Sequence, residues 1–414
     1  LATPLPELML FGGMMVTRGE AATLLRADRS PAAFWLGLRL TTRFLTDRLR
    51  HARGTRLVLG NALVARLMKA LQDRGGRILT DAHCRRLIER DGRICGAELS
   101  LAGETYAVRA GRGVVLAGGG FPANAAWRER ELPAPVAEAT PAFEGCDGST
   151  IDLALKVGAA LGPDGLDNAL WFPSSFAKRA DGSSAVYPHI VLDRAKPGLI
   201  AVNQAGKRFA NEAASYHEFV RAMYRADKES PAIPAWLICD RDFIRRYGLG
   251  LIRPRTPWLS GYIRRGYLHE GATLGELAGG IGLPPGVLEG TVARYNGFAS
   301  EGVDTDFGKG DNIYAPSPAD PAAKPHPCLG PLATPPFYAV AVKPTPLGTS
   351  RGLAADVHAR VLNEEGQPVP GLYVCGNDMQ SVFGGEYPGA GGQLGQAMTF
   401  GWVAARHAAG ANET

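Results

Sequence analysis

Two glycine-rich runs carry the plainest chemical signal in this chain. Near the C-terminus, Gly371-Leu-Tyr-Val-Cys-Gly-Asn377 is followed by Glu386-Tyr387-Pro-Gly-Ala390-Gly391-Gly392-Gln393-Leu394-Gly-Gln-Ala-Met398. The order reads as a buried strand, a loop, then a Gly-rich turn opening a small-residue helix. Glycines let backbone approach a ligand closely, and the free N–H groups of a helix start bind electron-rich groups. A plain strand-to-helix loop would have the same composition, so this run alone decides nothing. A second run supports it. Gly113-Val-Val-Leu-Ala117 is a continuous apolar stretch, typical of a strand buried on both faces, and it enters Gly118-Gly119-Gly120-Phe121 directly.

The elements that must position these runs can be read coarsely. Residues 1–55 read as helical and basic, and 61–71 as a helix capped by Asn61. Strands are expected at 77–80 and 85–88, with an Asp91-Gly92 turn into a strand over 93–99. Another strand is expected at 106–109, then helices at 150–161 and 288–300. A Pro-rich connector over 315–336 leads to a strand at 337–342. Aromatic and proline content rises from about residue 171 to 336. The expected division is therefore an α/β domain from 1–171 and 341–414, with a second, α+β domain, 172–340, inserted.

Bulk composition excludes several classes. The chain has 414 residues, enough for two or three domains, and a net charge of +5 that is scattered. The Arg-rich stretch from Arg43 to Arg56 reads as a solvated helix face, so no nucleic-acid partner is expected. Six cysteines show no CxxC and no His/Cys spacing, which argues against a zinc site or a disulfide framework and fits a reducing cytoplasm. No apolar run approaches the ~18–20 residues of a membrane span.

With those residues set out, the chain resembles the FAD-dependent dehydrogenases of the fumarate reductase/succinate dehydrogenase flavoprotein superfamily, and within it the 3-ketosteroid dehydrogenase-like branch. The matching segments are 115–121, Gly145-Cys-Asp-Gly148, Val202-Asn-Gln-Ala-Gly-Lys-Arg208-Phe-Ala-Asn-Glu212, Arg294-Tyr-Asn-Gly-Phe298, Asp304-Thr-Asp-Phe-Gly308, Pro336-Phe-Tyr-Ala339 and the C-terminal run. Their order and spacing agree along nearly the whole chain. The resemblance implies an incomplete FAD-binding Rossmann-like fold carrying a noncovalent FAD. The cofactor would be held by Ala117, Gly118, Gly119, Gly120 and Phe121, by Asn377 and Asp378, and by the backbone of Ala390, Gly392, Gln393 and Leu394. Backbone near Cys84 would meet the adenine.

The same resemblance implies the chemistry. Oxidising a C–C bond beside a ketone removes a hydride to the flavin and a proton to a base. Tyr387 and the Gly391 N–H would polarise the carbonyl of an apolar ketone, and Tyr216 would take the proton, the two tyrosines facing each other across the flavin plane. A phenol of pKa about 10 works as a base only where neighbours stabilise its anion. His217 is the other candidate acid/base, although its side chain should diverge from that of Tyr216. His189, with Asp193-Arg194 after it, is more often structural than substrate-facing in such a setting. Arg208 and Glu212 read as an ion pair fixing the junction between domains. The branch also has an assisting Tyr in the segment before residue 60, and residues 1–60 contain none. No Arg lies between Arg360 and Arg406, which disfavours a dicarboxylate clamp.

No GxGxxG occurs in the chain, whereas the superfamily begins with a strand–GxGxxG–helix that receives the FAD pyrophosphate. The sequence is therefore expected to be part of a longer protein. It should bind FAD weakly or not at all until an N-terminal segment is supplied, in cis or as a separate chain. Two other readings stay open: a fumarate reductase-like enone or enoate reductase, or a truncated homologue without FAD in a non-catalytic role.

Overall fold

The computed structural model describes residues 9–24, 30–179, 182–190, 192–316 and 318–410. Two compact units divide the chain, Leu1–Thr80 and Asp81–Thr414. The first is helical: α1 (Arg18–Leu24), α2 (Pro31–Arg50) and α3 (Leu59–Asp73). Ser30 caps α2, its Oγ accepting from the Ala33 N–H, and Pro31 occupies the first turn where its missing N–H costs nothing. Arg43, Arg48 and Arg50 are exposed along α2, as a solvated basic face requires. The expected cap at Asn61 is wrong. The helix begins a turn earlier at Leu59, and Asn61 lies inside it. Residues 77–80 form no strand; the first strand begins at His83.

The second unit opens with an antiparallel three-stranded sheet, β1 (His83–Arg90), β2 (Arg93–Leu101) and β3 (Glu104–Arg109). Asp91 and Gly92 join the first two strands with φ of 52° and 70°, the left-handed pair that a tight hairpin needs. Then come β4 (Val114–Leu116), α4 (Ala125–Glu131), α5 (Ser149–Leu155), β5 (Ala169–Lys178), β6 (Ser184–Pro188) and β7 (Leu199–Val202). Next are α6 (Tyr216–Asp227), β8 (Ala235–Asp240), α7 (Arg241–Tyr247), α8 (Ser260–Arg264), β9 (His269–Gly271), α9 (Leu274–Gly280) and α10 (Pro285–Glu301). β10 (Phe337–Thr349), β11 (Arg360–Leu362), β12 (Pro368–Val374) and α11 (Gly392–Ala408) complete it.

α5 is shorter than the expected 150–161. Gly158 turns the chain at φ 83°, and Ala159 and Leu161 bridge instead to Asn363 and Leu353. β10 is longer than expected. Its first half pairs with β8 and its second half, Lys343 to Thr349, with β5, with a register shift between Pro346 and Gly348.

Strand order is β6-β5-β10-β8-β7 in the large sheet, with β9 also on β10, and β11-β12-β4 in the other. β12 and β4 run parallel, Leu372 opposite Val114 and Val374 opposite Leu116. That pairing sets the two glycine runs side by side although they lie at opposite ends of the unit. α6 packs against β5 through Tyr216, whose ring lies 4.5 Å from that of Phe172, and through Tyr224, whose ring lies 5.3 Å from that of Trp171; its Phe219 and Met223 are fully buried. Truncating a side chain like Phe219 to alanine costs about 3–5 kcal/mol. Among the described residues no helix is long and apolar enough to cross a membrane.

Candidate active site

Tyr216 is the first residue of α6, and the chain before it is heavily pinned. Ser215 caps the helix, its Oγ accepting from the Glu218 N–H. Arg194, 3% exposed, donates to the carbonyls of His189, Glu212 and Ala214. The Glu212 carboxylate, with no exposed surface, is held by Arg208 at 2.8 Å and Lys309 at 3.7 Å, and Arg208 also pairs with Asp304. Burial alone would raise the Glu212 carboxyl; Arg208 and Lys309 outweigh it and hold it below the usual range. The expected Arg208–Glu212 ion pair therefore exists, as a buried knot tying the start of α6 to the 304–309 turn.

Tyr387 arrives from the C-terminal loop. Its ring centroid lies 5.3 Å from that of Tyr216 at 67°, with Phe172 stacked at 6.3 Å and His217 edge-on at 6.1 Å. Tyr216 also packs on Phe172 at 4.5 Å and faces Tyr314 at 6.4 Å. A planar ring between two others needs ~3.5 Å on each side. The expected arrangement, with a flavin plane between the two tyrosines, is therefore corrected: they share one side of any flavin. Burial pushes the Tyr216 phenol well up, with Tyr387 and Tyr314 adding to it, and Arg194 opposes. Burial raises Tyr387 too, but hydrogen bonds from Gln393 and Tyr216 pull the other way.

The glycine turn is built as its composition suggests. Gly389 and Gly391 have φ of 134° and 98°, with open space where a side chain would stand. Gly391 is the cap residue of the 17-residue α11, which no side chain caps. Gly392 is partly buried against Tyr387 and Pro388, Ala390 is exposed, and Leu394 is half-buried. Gln396 Nε2 ties the helix back to the Gly376 carbonyl at 2.9 Å.

The other run is spent differently from the expectation. The Gly118 and Gly120 N–H groups donate to the Asp378 carboxylate at 2.6 and 2.8 Å, and Thr150 Oγ1 adds a third bond at 2.7 Å. Asp378 and Phe121 are fully buried, and Phe121 stacks on Trp127 at 4.8 Å. These residues seal the junction of β4 with the turn after β12, so they cannot also offer those donors or side chains to a ligand. Ala117 is exposed at the end of β4 and Gly119 half-buried beside Cys146. Cys84 sits half-buried on β1, its thiol raised by burial. Asn377 Nδ2 reaches Gln393 Oε1 at 2.6 Å.

Two histidine readings are decided by hydrogen bonding. His189 bonds Asp193 at 2.6 Å and Ser175 at 2.8 Å, and Ser175 bonds Tyr267 at 2.8 Å. The constellation looks like a charge relay, but Ser175 and His189 are fully buried and no reactant could reach them. His217 Nδ1 accepts from the Trp171 N–H, so in the neutral ring Nε2 carries the hydrogen. Burial, then Arg221, pushes His217 below its ordinary pKa. A His217 ring nitrogen lies within 4.8 Å of Glu218 and Glu386 oxygens, a spacing a metal could use. Arg221 already bridges Glu218, Glu386 and Asp167 at 3.1, 2.7 and 2.7 Å, and Nε2–H offers no lone pair. The cluster is a guanidinium site.

A cavity of about 1030 Å³ runs along the far side of α6, lined by Ser215, Glu218, Phe219 and Tyr314 among others. The tyrosine pair does not line it. Sequence reasoning missed Arg194, Phe172, Tyr314 and the side-chain role of Gln393. The first three reach Tyr216 only through long-range folding and leave no local pattern.

The residues fit a flavin on two observations. The α11 start presents an uncapped helix N-terminus among open glycines, and the Thr349 hydroxyl, 1% exposed beside Gly120, has no partner among the described residues. The comparisons agree. The family described as FAD binding domain matches residues 11–394. A 3-oxosteroid 1-dehydrogenase of Mycobacterium tuberculosis is 37% identical over 371 residues, 86% of this chain and 64% of that protein. A 4-oxocyclohex-2-ene-1-carboxylate 5-dehydrogenase of Sinomonas cyclohexanicum is 35% identical over 408 residues, 97% of this chain and 68% of that protein. The crystal structure of 3-ketosteroid delta1-dehydrogenase from Sterolibacterium denitrificans, in complex with 1,4-androstadiene-3,17-dione, superposes with a TM-score of 0.89 at 36% identity, covering 98% of this chain and 73% of that one. The chain thus spans 64% of the length of the mycobacterial relative. It belongs to the FAD binding domain family, in its 3-ketosteroid dehydrogenase-like branch.

Proposed function

We propose that the protein is an FAD-dependent oxidoreductase that introduces a double bond alpha,beta to the carbonyl of a cyclic ketone, a 3-ketosteroid being the leading substrate class. The observation that carries this reading is the meeting of Tyr216 and Tyr387 beside the open glycine turn. FAD, when bound, supplies the acceptor for the hydride leaving the beta carbon. The protein's own groups do the rest. The Tyr387 hydroxyl and Gly391 N–H hold the carbonyl oxygen and so acidify the alpha C–H. Tyr216 takes the alpha proton. Phe172 and Tyr314 wall the phenols off from water. The Gly turn, with Ala390, Gly392, Gln393 and Leu394, would lie against the cofactor, and Asn377 would help orient it.

Arg221 is saturated by three carboxylates, so it is not a ready anchor for a substrate dicarboxylate, and this weighs against fumarate-type reduction. The domain division 1–171/341–414 with 172–340 inserted stands in the same proposal. Both boundaries fall within β5 and β10, which pair with each other. Completion of the pyrophosphate site by a dinucleotide-binding segment, in cis or as a separate chain, belongs to it as well, as does a cytoplasmic location with all six cysteines free. The test is anaerobic addition of a 3-ketosteroid to the FAD-loaded protein. Bleaching of the flavin band with formation of the 1,2-unsaturated ketone supports the reading, and an unchanged band across steroid and monocyclic ketones rejects it. A protein that stays colourless with added FAD even when the dinucleotide-binding segment is supplied would favour the non-catalytic alternative.

A further inference from the structure

The Tyr387 oxygen receives a hydrogen bond from Gln393 Nε2 at 2.9 Å, and the Gln393 Oε1 at the other end of the same amide accepts from Asn377 Nδ2 at 2.6 Å. Space has been cleared for this relay. A Cβ at Gly348 would collide with both Asn377 Nδ2 and Gln393 Oε1, so the strand carries glycine where the two amides meet. The other groups against Tyr387 are Tyr216 and His217 from α6 and Phe172 from β5, with Glu386 next to it in the chain. Tyr216 meets Tyr387 through its ring, 5.3 Å away at 67°. His217 accepts at Nδ1 from the Trp171 backbone, Phe172 is apolar, and Glu386 is held by Arg221. The Tyr387 oxygen is thus met by the Gln393 amide donor.

We propose that Gln393 is a positioning residue: oriented by Asn377, its amide donates to Tyr387 and leaves the Tyr387 hydroxyl hydrogen for the substrate carbonyl. The role rests on the ketone reading above, and it goes beyond the backbone contact with cofactor that the sequence implied for Gln393. A donor on the phenol oxygen also strengthens the phenol as an acid, since it stabilises the charge that builds on that oxygen. The opposite amide orientation would make Gln393 the acceptor of the Tyr387 proton, leaving nothing to offer a ketone. The two orientations predict shifts of opposite sign.

The experiment follows the Tyr387 phenol by NMR of protein labelled with 13C at tyrosine Cζ, the resonance assigned with Tyr387→Phe. In Gln393→Met, of similar length but without a donor, the acid dissociation constant should fall about tenfold, moving the titration up by about one pH unit. Gly348→Ala, which disturbs the amide pair without altering either member, should move it in the same direction by less. No shift, or a downward shift, overturns the proposal, and if the Gln393 variant does not fold the Gly348 variant decides by the same signs. Turnover separates this from the ketone reading. An upward shift in a protein that oxidises no ketone upholds the Gln393–Tyr387 donation and rejects the activity. In an active protein, Gln393→Met should lower kcat about 10- to 100-fold with a much smaller change in KM, because donation to the carbonyl matters most as its charge develops.

Discussion

Tyr216 and Tyr387 hold their rings 5.3 Å apart at 67°, and both pack against Phe172, at 4.5 and 6.3 Å. The two phenols therefore belong to one aromatic unit. In the FAD-loaded protein, Tyr216→Phe and Tyr387→Phe should each lower turnover by about 10²–10⁴ while FAD remains bound. The double variant should lose much less than the product of the two, since each single change already disables the unit. Steady-state kinetics with flavin absorbance on all three variants checks both points; fully multiplicative losses would show that the tyrosines act separately.

The pH dependence follows from Tyr216. Its phenol is pushed up chiefly by burial, so the deprotonated form that accepts the substrate proton is scarce at neutral pH and increases as pH rises. The chemical step should quicken with pH throughout the range in which the protein stays folded, without a plateau near neutrality. A plateau beginning below pH ~7 would point to a different base. His217, buried with a lowered pKa, is not the source of such a plateau.

Alkaline stability should fail in a linked way. Burial pushes Tyr338 up to about 12, and Tyr187, Tyr224 and Tyr267 further. Unfolded phenols ionise near pH ~10, so these folded groups bind protons that the unfolded chain has released. Their contribution is complete below about pH 10 and declines as pH climbs through the folded values. Thermal melts should thus drop from about pH 10 upward, with tyrosinate absorbance appearing together with unfolding. Gradual ionisation in a fully folded protein would contradict the burial of these rings.

Gly120 has φ 78°, and a side chain there would meet Thr349 Oγ1 and the Asn377 backbone. Gly120→Ala should destabilise the fold by at least 1–3 kcal/mol and weaken flavin binding, as read by chemical denaturation and FAD titration. Asp378→Asn should cost about 1–3 kcal/mol, because three donors would then share a site built for a carboxylate. Wild-type stability in both would mean the junction is looser than these contacts require.

Much of this arrangement was legible in the residues. The apolar run at 113–117 and the GLYVCGN segment announced two strands, though the first is not buried on both faces, Val115 being exposed, and the tight Asp91-Gly92 hairpin followed from turn chemistry. Tyr216 and Tyr387 were singled out through motif resemblance, and folding brings them together. What the residues did not reveal was how polar groups would be spent. Asp378 takes the very amides that the Gly118–Gly120 run displays, a tertiary contact with no local signature. Asn61 has the composition of a cap, yet the helix starts earlier. The strand-like stretch at 77–80 lies before the hairpin without joining a sheet. Gln393 looked like another residue of a glycine turn, and only its contacts with Asn377 and Tyr387 set it apart.

The central claim is that the Tyr216–Tyr387 pair serves proton removal beside a ketone carbonyl. Its most direct measurement is the rate of flavin reduction by a cyclic ketone carrying hydrogen or deuterium at the alpha carbon, in a single anaerobic turnover of the FAD-loaded protein. The account predicts flavin reduction with a primary isotope effect when the alpha position carries deuterium, reduced at least 10²-fold in rate by Tyr387→Phe or Tyr216→Phe. Flavin reduction at the wild-type rate in both variants would contradict it.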